Sequence, residues 1–305
     1  LPNHWWHLLS RLVSLLTDEY DATVLLMSAT QPRFVAEYND QLSPTELVPD
    51  VESQFGFLRK NERVQFHIHD SLAETLSGGS ETSLQPRSAA AEIASGLESG
   101  STDTLVISNT IQSAVEVGSA IGEVATDQAK SQLNLNGQYV TFLDERPEVI
   151  VELSRGEMSA ETIASKFFDW LADELPADTI VTTTLTAALR PCDRSILIEA
   201  MRSIVDAETE TPLDEYPLVV SATQLVEAGV DMSADQVYRD FAPVPSIVQA
   251  AGRCNRSFEG ETGDVTVWYL AGEDQPPSNI YTWGGDRLDP AADALRETVE
   301  EYGKT

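Results

Sequence analysis

The feature that most constrains this chain is an alternation of two hydrophobic periods between residues 88 and 270. Short apolar runs at 104–108, near 139–143, and at 179–185, 218–221, 236–241 and 264–270 read as strands. Segments with helical spacing at 88–97, 110–122, near 160–173, 191–205 and 245–251 fall between them. Strands that alternate with helices demand crossover connections, and crossovers build one mostly parallel sheet covered on both faces. The expected class is therefore α/β.

The flanks are less regular. Residues 8–16 carry apolar positions at helical spacing, and an apolar strand at 23–27 follows, ending in Ser28-Ala29-Thr30. A helix and strand of this kind read as the tail of a preceding α/β sheet. A further strand is expected at 63–69, and the Gly/Ser/Pro-rich stretch 77–86 reads as a loop. The expected division is 1–40 for the end of a first domain, 41–95 for an interdomain segment, 96–270 for a second domain and 271–305 for a peripheral tail. The opening Leu1-Pro2-Asn3-His4 has no basic region and no small-residue cleavage site, so it is expected to be the interior of a longer chain.

Charge restricts the function. Nineteen Lys and Arg against fifty Asp and Glu give a net charge of −31, and Lys60, Lys130, Lys166 and Lys304 are the only lysines. A nucleic-acid binder is usually basic. However, the acids are dispersed along the chain, a pattern expected of a protein adapted to high intracellular salt. At 1 M salt the Debye length is about 3 Å, which screens global repulsion from phosphates and leaves close contacts to decide. No apolar run reaches the roughly 18 residues of a membrane span. Cys192 and Cys254 have neither metal-ligand spacing nor the look of a disulfide framework, which points to the cytoplasm and to no protein-bound metal.

Two strings carry chemistry. The first is Gln249-Ala-Ala-Gly252-Arg253-Cys-Asn-Arg256, a Q-x-x-G-R-x-x-R pattern expected at the end of a helix, where Arg253 and Arg256 would share a face. Two guanidinium groups aimed at one point suit a transferring phosphoryl group, where charge builds in the transition state. Lysine lacks the fork geometry for this task. The second string, Ala222-Thr223-Gln224 through Gly229-Val230-Asp231, leaves a buried strand, where a hydroxyl and backbone amides can meet phosphate oxygens. His67-Ile-His69-Asp70 places two imidazoles on one strand face, yet no further His/Asp cluster completes a metal site.

Together with Ser28-Ala29-Thr30 and Ser108-Asn109-Thr110, these strings stand in the order of motifs III to VI of superfamily 2 helicases. The wording Leu-Met-Ser-Ala-Thr-Gln-Pro, Ile-Ser-Asn-Thr and Gly-Arg-Cys-Asn-Arg resembles the CRISPR-associated helicase–nucleases of type I systems, the Cas-three family. The resemblance implies RecA-like domains that pull single-stranded DNA with ATP and Mg²⁺, recruited by a CRISPR surveillance complex. It implies that Ser28 and Thr30 couple hydrolysis to movement, and that Asn109, Thr110, Thr223 and Arg194 meet the DNA backbone. It further implies that Gln249, Arg253 and Arg256 face the nucleotide, with Gly229, Asp231 and Gly252 beside it.

The departures matter too. The sequence has no G-x-x-x-x-G-K-[ST] loop and no Asp-Glu-x-His, so it is expected not to hydrolyse ATP without a chain or domain that supplies both. Where the family reads Leu-His-Ser-Arg, this chain has Leu185-Thr186-Ala187-Ala188, although Asp193 and Arg194 downstream fit. Two other readings stay open: a different superfamily 2 motor of DNA repair or RNA metabolism, and a non-catalytic binding module derived from a helicase.

Overall fold

A computed structural model of the chain describes residues 6–26, 45, 63–77, 83–97, 102–171, 175–206, 209–226, 230, 232–256, 262–271 and 295. The chain divides into two units, Leu1–Glu62 with Thr282–Asp286, and Arg63–Tyr281 with Arg287–Thr305. In the smaller unit the helix expected at 8–16 runs longer, as α1 over Trp6–Tyr20. Asp21 then takes a left-handed conformation with φ of 49°, which Asp tolerates better than most residues, and the helix stops. The strand expected at 23–27 is not formed over its described residues, 23–26. Residues 23–26 are not among the strands of the sheet described below.

The larger unit is built on a seven-stranded sheet in the order β1-β7-β6-β2-β5-β4-β3, with every pairing parallel. The strands are β1 Val64–Ile68, β2 Asp103–Ser108, β3 Ser131–Asn134, β4 Thr179–Leu185, β5 Leu218–Thr223, β6 Gln236–Asp240 and β7 Gly263–Trp268. β2, β5 and β6 sit at the centre, and β2 and β5 are buried almost throughout because both their faces are covered. Side chains alternate across β2. Leu105 and Ile107 join one core, and Val106 joins the other.

The first face is covered by α5 (Leu135–Glu145), α7 (Ala160–Trp170), α8 (Pro191–Val205) and the end of α9 (Val244–Ala251). The short helix α6 (Pro147–Ser154) links α5 to α7 and buries Val149. The second face is covered by α3 (Pro86–Gly96) and α4 (Ile111–Asp127). Gly118 lets α4 settle onto the sheet, since a Cβ there would lie 2.5 Å from the Thr184 hydroxyl. A small third cluster forms where α2 (Asp70–Leu76) packs Leu72 and Leu76 against Phe241, Ile247 and Val267.

Two sequence expectations change here. The strand expected near 139–143 lies inside α5, and the true strand, β3, comes just before it. Leu135, Tyr139, Phe142 and Leu143 are the buried residues of α5, at helical spacing, and the Asn134 side chain caps the helix by accepting from Gly137 N. The aromatic and β-branched run Tyr139-Val-Thr-Phe142 imitates a strand, but its burial follows the helical period. In addition, the segment expected at 41–95 between domains includes an edge strand (β1, paired with β7) and nearly all of the covering helix α3 of this sheet. Among the described residues, no helix is long and apolar enough to cross a membrane.

Candidate functional site: two ends of one sheet

Parallel strands deliver their following loops to one end of the sheet. That end gathers Asn109 and Thr110 after β2, Thr223 at the end of β5, and Arg194 in the first turn of α8, which follows β4. Ser108 pairs in register with Thr223, so two of the predicted contact segments leave the sheet side by side. Thr110 caps α4, its hydroxyl accepting from Ser113 N at 2.9 Å. Thr223 is buried and Arg194 is half-buried. Arg190 holds Asp193 through two hydrogen bonds of 2.5 and 2.9 Å, and Thr186 accepts from Ala188 N at 3.3 Å. These contacts order the turn whose family wording is missing.

Beneath this end lies a cluster that sequence reasoning did not single out. Arg239 is 0% exposed, Asp240 2% and Asn109 6%. The Arg239 Nη1 donates to Asn109 Oδ1 at 2.7 Å and to the carbonyls of Asp240 at 2.6 Å and Ile107 at 3.4 Å. Asn109 donates its amide to the Phe241 carbonyl at 2.8 Å, and Gln224 donates to the Asn109 carbonyl at 3.2 Å. The Asp240 carboxylate accepts from Asn109 N at 3.3 Å and Leu270 N at 3.2 Å. Burial pushes the Asp240 carboxyl up to about 6, against the opposing pull of Arg239 and the backbone amides. The side chain of Asn109 thus ties β2 to the end of β6, and its backbone carbonyl receives the chain after β5.

The other end of the sheet holds the arginine string. α9 stops at Ala251, so Arg253 and Arg256 do not share a helical face as their spacing suggested. Instead the chain folds back into a turn that is latched to Ala234, two residues before β6. Ala234 N donates to the Arg253 carbonyl, Asn255 N donates to the Ala234 carbonyl, both at 2.9 Å, and Cys254 bridges to Ala234. Asn255 makes the reversal with φ of 44°, and its side chain donates to the Arg63 carbonyl at 3.1 Å. Gly263 gives the latch room, because a Cβ there would meet the Cys254 sulfur at 2.5 Å. Within this frame Arg253 donates to the Val230 carbonyl, Arg256 N donates to the Ser233 hydroxyl at 2.9 Å, and Arg256 is exposed. Gln249 is half-buried on the last turn of α9, and Gly252 is its C-cap.

Comparison with known proteins completes the picture. Residues 160–259 match the family model for the C-terminal part of the CRISPR-associated nuclease/helicase Cas3. The CRISPR-associated nuclease/helicase Cas3 of Haloferax volcanii is 33% identical over 303 residues, which span 90% of this chain and 31% of that protein. The chain is similar to the C-terminal part of Cas3. It spans about a third of the length of the curated relative it matches. Among solved structures, T. fusca Cas3 with ATP is similar with a TM-score of 0.47 and 14% identity over 77% of this chain and 21% of that one. T. fusca Cas3 with AMPPNP has a TM-score of 0.46 and 16% identity over 78% and 22%.

Four of the residues expected to act in this Cas3-like region, Ser28, Thr30, Gly229 and Asp231, lie outside the described residues. The histidines of β1 and its end are accounted for separately. His67 contacts Asp264 at 2.8 Å, whereas His69 caps α2, accepting from Ser71 N at 3.0 Å, and also contacts Glu92. The signals for the missed residues were weak but present. Asn255 stands where a left-handed turn is easiest for a residue with a side chain, and Arg239-Asp240 is a charged pair at the end of an otherwise apolar strand.

Proposed function

We propose that this Cas3-like region is the second RecA-like half of an ATP-driven motor that moves single-stranded DNA during CRISPR interference. A lobe carrying the phosphate-binding loop and Asp-Glu-x-His completes the motor, and a CRISPR surveillance complex recruits it. The observation that carries the reading is the separation of duties between the sheet's two ends. One end bears a braced turn with the Arg253 guanidinium on the Val230 carbonyl and Arg256 exposed beside it in sequence, and the other bears the strand-end segments of Asn109, Thr110, Thr223 and Arg194.

A braced arginine turn fits a polyanion. Arg253 is oriented by its bond to Val230 and by the backbone latch, so little reorganisation is needed when charge develops nearby. Arg256, exposed on the same turn, reaches the γ-phosphoryl group, and Gln249, Gly252, Gly229 and Asp231 complete this side of the nucleotide site. ATP with Mg²⁺ supplies the energy of the cycle when bound, with the metal held mainly by the completing lobe. At the opposite end Thr110, Thr223, Arg194 and the backbone at Asn109 meet the phosphates of the strand, and Ser28 and Thr30 couple the two. The net charge of −31 is tolerated because the cytoplasm is salt-rich, which limits repulsion to a few ångströms.

The test is ATP hydrolysis by the chain supplied with the completing lobe, fused or in trans, in buffer of about 1 M salt. Single-stranded DNA should stimulate the rate, and the chain alone should be inactive. Arg256→Ala should lower kcat by about 10³-fold or more, as loss of an arginine finger does. A wild-type rate in Arg256→Ala would leave only a non-catalytic binding module.

A further inference from the structure

We infer that Arg239 is a positioning residue that links the strand-end segments to the arginine turn at the other end of the sheet. The inference rests on the proposed function and adds the physical connection between its two sites. Arg239 sits at the end of β6, where the chain turns into α9. From one nitrogen it holds the Asn109 side chain and the carbonyls of Ile107 and Asp240. Asn109 in turn holds the Phe241 carbonyl, three residues before α9 begins, and receives Gln224 from the segment after β5.

α9 is the only helix between β6 and β7 among the described residues, and its eight residues span about 12 Å. Ile247, Ala250 and Ala251 are buried, so the helix shifts as a body rather than flexing. Its far end carries Gly252 and the turn latched to Ala234. A displacement of Asn109 or Gln224 therefore reaches Arg253 and Arg256 by a chain of hydrogen bonds and one rigid helix. Buried charge at the first link makes that chain stiff, because a guanidinium removed from water cannot exchange its acceptors for solvent. Both sites bias one shared element, which is the physical requirement for coupling.

The test measures amide hydrogen exchange of the full chain with and without an oligodeoxythymidine, beside its affinity by fluorescence anisotropy. In the wild type, the oligonucleotide should slow exchange at 109–113 and at 252–256. Arg239→Met should keep the affinity within about threefold and keep the slowing at 109–113. At 252–256 the response should fall by about fivefold or more. A purely structural role would weaken both responses together, and that result overturns the inference. If Arg239→Met does not fold, Arg239→Lys decides, since its single ammonium on a shorter reach should still reduce the remote response selectively. An undiminished response at 252–256 in Arg239→Lys overturns the inference, as does a wild type that binds but shows no remote response. A wild type that binds no oligonucleotide instead removes the function on which the inference rests.

Discussion

Replacing Arg239 by Met should destabilise the larger unit by an amount that depends on pH in a defined direction. Arg239 is fully buried, and its loss leaves the Asp240 carboxylate, itself 2% exposed, without the positive charge that opposes its burial. Arg239 donates to the Asp240 backbone carbonyl rather than to its carboxylate, so the cost of breaking a buried ion pair, about 3–5 kcal/mol, is the upper bound when the remaining charge must stay. The carboxyl of Asp240 is already raised to about 6 in the folded state, against about 3.9 in an unfolded chain. Its contribution is therefore complete below the unfolded value and is lost as pH rises through the folded one. Without Arg239 the folded value climbs further, so the variant goes on losing stability above pH 6 while the wild type has levelled off. At pH 5 the variant's Asp240 is protonated, and what remains is the cost of acceptors left without a donor, about 1–3 kcal/mol. The expected gap between the two proteins is thus roughly 2 kcal/mol wider at pH 8 than at pH 5. Urea unfolding at both pH values and one salt concentration measures it. Other groups that titrate in this range are present in both proteins and cancel. An equal loss at pH 5 and pH 8 would show that Asp240 does not rely on Arg239.

Asp103, at the other end of β2, makes an opposite experiment. Burial, and then the neighbouring Asp235 carboxylate, raise its carboxyl to about 7, so its charged form opposes folding at neutral pH. Asp103→Asn should stabilise the protein by about 2 kcal/mol at pH 8, a figure reduced for partial solvent screening, and by about a third of that at pH 5. An equal gain at both pH values, read from thermal melts, would refute the assignment. Gly263→Ala should cost about 1–3 kcal/mol, because the new methyl group meets the Cys254 sulfur at 2.5 Å and the Asp235 carbonyl at 3.0 Å. It should also lower the ATPase rate of the completed motor by loosening the turn that carries Arg253 and Arg256. An unchanged melting temperature would mean that the latch is slack.

The fold was legible where period and burial agree. β2, β4, β5, β6 and β7 were found within three residues because each carries a short run of buried β-branched and apolar residues between helical segments. The order of the strands was not legible, since no local signal tells β1 to pair with β7 across nearly two hundred intervening residues. Residues 139–143 misled because β-formers were placed on a helical face, where burial against Phe167 outweighs intrinsic preference. The site divides the same way. Arg253 and Arg256 were visible as types, but not as a turn, because the helix stops at Ala251 and the chain then reverses at Asn255 by a left-handed step that spacing alone does not encode.

Arg239 was hidden for a deeper reason. A charged side chain on a strand reads as an outward-facing residue, since burying a guanidinium is costly unless acceptors wait for it. Those acceptors are the carbonyls of Ile107 and Asp240 and the amide oxygen of Asn109, all brought together only when β2 and β6 pair in register. The strand register thus creates an environment in which the arginine is tolerable, and the arginine in turn penalises a register that removes these acceptors. A residue of this kind constrains the fold and the site at once. For that reason a change at Arg239 should register in stability, in its pH dependence, and in the response at Arg253 and Arg256, whereas a change at a surface arginine such as Arg87 should register in none of them.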